Sequence, residues 1–231
     1  MELKTIHVSD GTEMQVHVAR PSGTPRSGII VIQEAFGVTD YIERMAARFA
    51  AAGYLAVAPE VFHRSAQPGT ALSYDDFEPV KPHMAALSIE GQEADLKAAY
   101  DFLVSEGIPD AKVAALGFCM GGRASFLANA TLPLACAVSF YGGGIADQLI
   151  DRAGKLSGPQ VLLWGGKDAH ILPANTRAVA DALIAAGKPF VDVTFSEAGH
   201  AFARDVGDHY HEASAREAWA LVDSFLTEHL S

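Results

Sequence analysis

The sequence KVAALGFCMGGRASFLANA, residues 112–130, decides the fold. It predicts a strand over Lys112–Leu116 and a helix over Arg123–Ala130, joined by the turn Gly117-Phe118-Cys119-Met120-Gly121-Gly122. The turn has the G-x-S-x-G pattern with cysteine in place of serine, in the strand–turn–helix context that this pattern requires. Its glycines let the strand and the helix approach each other around a sharp turn. We therefore predict a thiol at the start of a helix, where free N–H groups favour a thiolate and can bind an oxyanion.

Short apolar segments recur on both sides of this turn and alternate with segments of helical periodicity. A β-hairpin is predicted at the N-terminus, from Leu3–Val8 and Met14–Ala19. The other predicted strands are Ile29–Ile32, Leu55–Ala58, Val113–Leu116, Ala135–Phe140, Val161–Trp164 and Val191–Phe195. Strands that are apolar on both faces and separated by helices form a mostly parallel sheet that is covered on both sides. The sequence thus predicts an α/β fold.

The remaining helices are predicted from their end signals. One begins at a capping Asp40 and runs to Ala52, and another covers Pro173–Ala186 before Gly187. Two more are predicted over His83–Ser105 and Glu212–His229. The segment His63–Pro82 is the one long irregular connection, and such segments often form lids or binding loops.

The composition is that of an ordinary globular protein, with 49% hydrophobic and 19% charged residues. A length of 231 residues predicts one domain over 1–231. The net charge of −11 disfavours nucleic acid and anionic membranes as partners. The N-terminus has no secretion signal and no segment has the length of a membrane span, so we expect a cytoplasmic protein.

Two later residues fit an acid and a base for Cys119. In folds of this kind the nucleophile, the acid and the base follow one another along the chain, the last two on loops after later strands. Asp168 follows the predicted strand that ends at Trp164, and His200 follows the one that ends at Phe195. His209 and His211 are rival bases, but they precede the last helix and do not follow a strand. We predict that His200 activates the thiol and that Asp168 orients His200.

The other cysteine and the histidines suggest no second chemistry. Cys136 lies in an apolar strand, where a thiol behaves as a small hydrophobic side chain. Asp168 with His170, and His209 with His211, are spaced two apart and do not converge on one helix face. No His-Glu-x-x-His motif or paired Cys/His set occurs. We therefore expect neither a metal nor a cofactor.

Three segments together resemble the dienelactone hydrolase family of α/β-hydrolases. They are Gln33-Glu34-Ala35-Phe36-Gly37, the turn around Cys119, and Gly199-His200-Ala201-Phe202-Ala203-Arg204. The resemblance covers nearly the whole chain. It implies the α/β-hydrolase fold, with a mostly parallel central sheet, helices on both faces and an N-terminal antiparallel hairpin.

The resemblance also implies roles around the thiol that spacing alone does not show. Glu34 resembles a glutamate that holds the resting thiol and accepts its proton when substrate binds. The backbone N–H groups of Ala35 and Met120 would form the oxyanion hole.

Substrate contacts are implied in the same way. Arg204 resembles an arginine that pairs with a substrate carboxylate, and Tyr141 and Phe36 match residues near the pocket. One feature departs from the family, which uses a second arginine after the fourth strand, whereas no arginine occurs from Ser65 to Gly122. Lys81 or His83 could take the place of this arginine, but neither can bind both oxygens of a carboxylate as a guanidinium does.

These observations predict a hydrolase that cleaves small carboxylic esters or lactones, with Arg204 favouring an anionic substrate. Acyl transfer or thioester hydrolysis would use the same residues with a different acceptor or acyl donor. Two other classes stay open: a thiol redox sensor, which needs a second accessible cysteine, and a noncatalytic protein that binds a small ligand. We expect a monomer or a small homo-oligomer.

Overall fold

The computed structural model describes all 231 residues, Met1–Ser231. It contains one eight-stranded sheet with the order β1-β2-β4-β3-β5-β6-β7-β8. The strands are β1 Glu2–His7, β2 Glu13–Ala19, β3 Gly28–Ile32, β4 Leu55–Pro59, β5 Val113–Phe118, β6 Cys136–Phe140, β7 Gln160–Gly165 and β8 Phe190–Phe195. Strands β3 to β8 run parallel, and β2 is antiparallel to both β1 and β4. The predicted hairpin and mostly parallel sheet are confirmed.

The sheet is covered on both faces at its centre and only partly at its edges. Every residue of β3 to β7 is buried, whereas β1 and β8 alternate between exposed and half-buried side chains. This pattern explains why the central strands read as continuous apolar runs and the edge strands as alternating ones. Helices lie on both sides of the sheet, and one hydrophobic cluster of 61 buried residues joins the layers.

The helices are α1 Asp40–Ala51, α2 Lys81–Ala86, α3 Ile89–Ser105, α4 Met120–Thr131, α5 Ile145–Gln148, α6 Pro173–Ala185 and α7 Glu212–Leu230. The prediction for Asp40 was wrong in detail, because Asp40 is the first helical residue and Thr39 holds the N-cap position. The Thr39 hydroxyl does not cap α1, since it is hydrogen-bonded at 2.7 Å to the Tyr74 hydroxyl.

The predicted helix His83–Ser105 is two helices in the structure. Leu87 has an extended backbone, with φ −72° and ψ 131°, and this ends α2. Ser88 then starts α3, because its side chain accepts a hydrogen bond from the N–H of Gly91 at 3.0 Å. A serine N-cap of this kind opens a new helix even where apolar periodicity continues across it. The predicted irregular segment 63–82 also contains the first two residues of α2 and a short 3₁₀ turn, Glu78–Val80.

None of the helices combines the length and the apolar character that a membrane-spanning segment requires.

Candidate active site

Cys119 lies in the sharp turn between β5 and α4, and close backbone packing produces the turn. Its φ of 55° and ψ of −117° are unusual for a residue with a side chain. A Cβ atom on Gly117 would lie 2.0 Å from the carbonyl oxygen of Gly121. A Cβ on Gly121 would lie 2.4 Å from the carbonyl oxygens of Ile32 and Gln33. Only glycine fits at both positions, so the sequence pattern has a steric cause.

The structure brings Cys119, His200 and Asp168 into one hydrogen-bonded chain. Nε2 of His200 lies 3.1 Å from the Cys119 sulfur, and Nδ1 lies 2.7 Å from Asp168 Oδ2. The other Asp168 oxygen accepts from the N–H of His170 at 2.8 Å and of Ile171 at 3.1 Å. The carboxylate is therefore fixed on both oxygens, and it fixes the ring in turn. All three residues follow parallel strands at the carboxyl edge of the sheet, where ligands bind in such folds.

The contacts of His200 favour the protonated form of its ring. Burial opposes protonation of His200, but its contacts with Asp168 and Cys119 outweigh burial and raise its pKa to about 10. Burial also opposes ionisation of Asp168, yet the contact with His200 and the two N–H donors hold its pKa below the usual range. The arrangement can therefore hold an imidazolium beside the Cys119 sulfur and use it as a proton donor.

Glu34 and Arg204 form a buried ion pair next to this chain. Arg204 Nη1 lies 3.5 Å from Glu34 Oε2, and neither side chain is more than 6% exposed. Burial raises the pKa of Glu34, and the Arg204 and His200 charges oppose this. Glu34 Oε2 has no hydrogen-bond partner. The resemblance implied a hydrogen bond between Glu34 and the resting thiol. In the structure the Cys119 sulfur is hydrogen-bonded to His200 instead.

The two backbone N–H groups expected to bind an oxyanion are on adjacent segments. Met120 is the first residue of α4, where helical N–H groups have no partner within the helix. The N–H of Ala35 donates to no acceptor in the protein. Because Gly121 packs against the carbonyls of Ile32 and Gln33, the start of α4 and the segment before Ala35 lie side by side.

Aromatic side chains line the other side of the site. The Tyr141 ring centroid is 5.2 Å from that of His200, and its φ of 39° is again unusual for a residue other than glycine. Tyr141 is fully buried and its hydroxyl has no partner. The Phe36 ring is 4.7 Å from that of Tyr74, and the Arg204 guanidinium lies 4.0 Å from the centre of the Tyr74 ring.

Tyr74, which lies in the irregular segment 63–82, was not predicted from the sequence as a site residue. This segment returns to the site because the N–H of Leu72 donates to the Phe36 carbonyl at 2.8 Å and Ala71 bridges to Gly37. No periodic pattern signals such a contact. The only sequence hint was the length of the segment, which predicted a binding loop.

The other candidates raised from sequence have different environments. Nδ1 of His211 is hydrogen-bonded to the Ser214 hydroxyl at 2.8 Å, and His209 is exposed. Lys81 pairs with Glu78, and His83 is hydrogen-bonded to the Ser65 hydroxyl at 2.9 Å. His200 is thus the histidine that contacts Cys119. No group of three or more histidine, cysteine or acidic residues is arranged to hold a metal ion.

Fold and site together define an α/β-hydrolase: a mixed sheet in which Cys119, Asp168 and His200 follow the parallel strands β5, β7 and β8. The chain belongs to the dienelactone hydrolase family, whose model matches residues 14–230. It is accordingly a dienelactone hydrolase-like enzyme of the carboxylic ester hydrolase class.

Individual relatives agree with this assignment. Carboxymethylenebutenolidase of Pseudomonas putida is 32% identical over 215 residues, covering 91% of this chain and 89% of the relative. A crystal structure from Klebsiella pneumoniae, provisionally named a dienelactone hydrolase, has a TM-score of 0.88 at 31% identity and covers 98% of both chains. A promiscuous phosphotriesterase from metagenomic libraries, P91, shares the fold with a TM-score of 0.84 at 22% identity, covering 99% of this chain and 98% of P91.

Proposed function

We propose that this protein hydrolyses small carboxylic esters or lactones through an acyl-enzyme intermediate on Cys119. The observation that carries the proposal is the hydrogen-bonded chain from the Cys119 sulfur through His200 to Asp168. Along this series of hydrogen bonds the nucleophile Cys119 contacts the proton carrier His200, which in turn contacts the orienting carboxylate Asp168, as acyl transfer requires.

In the first half of the reaction the Cys119 proton passes to Glu34, and the thiolate attacks the carbonyl carbon of the ester or lactone beside a protonated His200. The resulting oxyanion accepts hydrogen bonds from the N–H groups of Ala35 and Met120. The tetrahedral intermediate then collapses, the carbon–oxygen bond to the leaving group breaks, and His200 gives its Nε2 proton to that oxygen. A thioester on Cys119 and a neutral His200 remain.

In the second half His200 removes a proton from water, and the hydroxide attacks the thioester carbon. Asp168 stabilises the imidazolium that forms and keeps Nδ1 protonated, so that Nε2 faces the reacting atoms. The second tetrahedral intermediate expels the Cys119 thiolate and releases the carboxylic acid. Glu34 then returns its proton to the Cys119 sulfur, and His200 is again protonated.

Glu34 and Arg204 are proposed to respond to the substrate. A substrate carboxylate that pairs with Arg204 competes with Glu34 for the guanidinium. Burial already favours the protonated form of Glu34, and loss of Arg204 as a partner strengthens that preference. Glu34 can then accept the Cys119 proton, so that the thiolate forms when substrate is present. Phe36 and Tyr141 line the pocket in this proposal.

The printed names of the relatives suggest the substrate class. Carboxymethylenebutenolidase denotes an enzyme that opens an unsaturated lactone bearing a carboxymethylene group, and we propose a lactone or ester with a carboxylate for this chain. Both cysteines are free. A thiol nucleophile functions in a reducing compartment, which supports the cytoplasm as the proposed location.

The redox-sensor alternative lacks a resolving thiol. Cys136 is fully buried, and burial raises its pKa to about 12. A thiol in that state is a poor partner for an oxidised Cys119, because exchange needs an accessible thiolate.

Steady-state hydrolysis of 4-nitrophenyl acetate and of a small aliphatic lactone tests the proposal. Wild type should turn over both, Cys119→Ala should lose activity on the order of 10⁴-fold or more, and Cys136→Ala should retain it. Equal activity of Cys119→Ala and wild type on both substrates would refute the proposal.

A further inference from the structure

One partly buried arginine near the site has no partner. Four arginines are not exposed, and three of them pair with carboxylates: Arg48 with Asp223, Arg152 with Glu93 and Arg204 with Glu34. Arg123 is the fourth. No hydrogen bond or ion pair within the protein involves the Arg123 side chain. A half-buried guanidinium without a partner loses hydration and gains nothing in return, which is costly unless a ligand supplies the anion.

Arg123 lies beside the catalytic candidates because it is in the first turn of α4. Its backbone N–H donates to the Cys119 carbonyl at 3.2 Å. Its side chain packs against Gly144, in the loop Gly142–Gly144 that directly follows Tyr141. A Cβ on Gly144 would be 3.2 Å from Nη1 and 3.3 Å from Cδ of Arg123, so glycine at this position leaves room for the guanidinium.

The charge of Arg123 is matched by no acidic residue. Burial lowers its pKa, and the only group that opposes this is Cys119. The guanidinium is therefore within electrostatic reach of the reacting sulfur, and no carboxylate of the protein neutralises it.

Arg204 is much less available to a ligand. It is 5% exposed, it pairs with Glu34, and its guanidinium is covered by the Tyr74 ring at 4.0 Å. Its Nε also donates to the Val206 carbonyl at 3.0 Å. An anion reaches Arg204 only if it displaces Glu34 and Tyr74, whereas it reaches Arg123 without breaking any contact within the protein.

We propose that Arg123 is a specificity-determining residue that binds a carboxylate of the substrate on the Gly142–Gly144 side of the site. The proposal rests on the proposed ester hydrolysis and adds a second cation to it, on a different element from Arg204. The preferred substrate is then an ester or lactone whose acyl part ends in a carboxylate. A guanidinium suits this role because its planar donors bind both carboxylate oxygens.

A matched pair of esters separates this role from general effects on the site. Mono-4-nitrophenyl glutarate and 4-nitrophenyl valerate have acyl chains of equal length that end in a carboxylate and a methyl group. Arg123→Gln should lower kcat/KM for the glutarate ester roughly tenfold to a hundredfold and leave the valerate ester within about twofold of wild type. Arg123→Lys should retain part of the preference as a point charge.

The control variant is Arg26→Gln. Arg26 is likewise unpaired, but it is exposed and lies just before the amino end of β3, away from the carboxyl edge of the sheet. It should change neither ester. Equal losses on both esters for Arg123→Gln would show that Arg123 only supports the turn around Cys119, and no loss on either would remove it from the site. Both results overturn the proposal.

A binding measurement separates this proposal from ester hydrolysis itself. If wild type hydrolyses neither ester, the proposed function fails, and calorimetric titration of glutarate into Cys119→Ala and Cys119→Ala/Arg123→Gln decides the case for Arg123. At least tenfold weaker glutarate binding in the double variant supports the proposal. Equal binding, or no binding to either variant, contradicts it.

Discussion

The two cysteines of this protein lie in adjacent regions of one sheet and have opposite environments. Cys136 begins β6, is fully buried, and has a pKa raised to about 12 by burial. Cys119 lies just beyond the end of the neighbouring strand β5, is half-buried, and contacts His200 at 3.1 Å. The amino acid is the same, so the difference comes from position along the strand.

The interior and the carboxyl edge of the sheet also differ in strain. All three residues other than glycine with positive φ, namely Cys119, Tyr141 and Ala201, lie at the carboxyl edge. Four buried polar side-chain atoms have no hydrogen-bond partner. Glu34 Oε2, Ser139 Oγ and Tyr141 Oη belong to the same edge or to the strand that leads to it, and the fourth, Gln92 Oε1, lies in α3. Backbone strain and most of the unpartnered polar groups are thus found where function is expected.

The largest effect at the carboxyl edge should come from Asp168→Asn, which changes both the His200 pKa and the rate of ester hydrolysis. The substitution removes the charged contact that raises the His200 pKa from its ordinary value of 6.5, so burial then lowers that pKa well below about 10. Ester hydrolysis should fall on the order of 10³-fold to 10⁴-fold. Titration of the His200 ring by NMR measures the shift. An unchanged His200 pKa would show that Asp168 does not control the site.

Thiol alkylation measures the difference between the two cysteines directly. Iodoacetamide at neutral pH should modify Cys119 faster than Cys136 by on the order of a hundredfold or more, because Cys136 becomes accessible only on unfolding. Peptide mass spectrometry after timed quenching identifies the modified residue. Similar rates under native conditions would mean that the described burial of Cys136 is wrong.

Close packing at the edge should make the turn intolerant of a methyl group. Gly121→Ala places a Cβ 2.4 Å from two backbone carbonyl oxygens and should lower the free energy of unfolding by about 3 kcal/mol. Gly154→Ala is the matched control, because no atom lies within 4 Å of its added Cβ. It should change stability by about 0.5 kcal/mol or less. Urea denaturation compares the two variants, and equal stabilities would contradict the steric account.

The smallest expected differences are those in stability when each cysteine is truncated to alanine. Cys136→Ala leaves a small cavity in a packed strand and should cost about 1 kcal/mol of stability. Cys119→Ala should leave the melting temperature within a few degrees of wild type, because its side chain packs less tightly. Thermal denaturation of both variants tests the order. A larger loss for Cys119→Ala would indicate that the thiol supports the fold.

The sequence predicted the sheet well because each strand has its own local signal. All eight strands occur where apolar runs or alternation indicated them, and their ends differ by one or two residues. Cys119, His200 and Asp168 meet as predicted, since the carboxyl ends of parallel strands share one edge.

Features that depend on a competing local cap or on contacts distant in sequence were missed. The break between α2 and α3 needs the Ser88 cap, which competes with continuing apolar periodicity. Tyr74 reaches Arg204 only because its segment pairs with Phe36 and Gly37. Arg123 reads as an ordinary helical residue, and only the three-dimensional structure shows that it has no partner.

The most direct test of the central claim is rapid mixing of 4-nitrophenyl acetate with stoichiometric enzyme, following 4-nitrophenol release. Wild type should release a burst that approaches one equivalent per Cys119 or turn the ester over continuously, and Cys119→Ala should show neither. An acetyl group on the Cys119 peptide after acid quenching should accompany the burst. Identical traces for wild type and Cys119→Ala would contradict acyl transfer through Cys119.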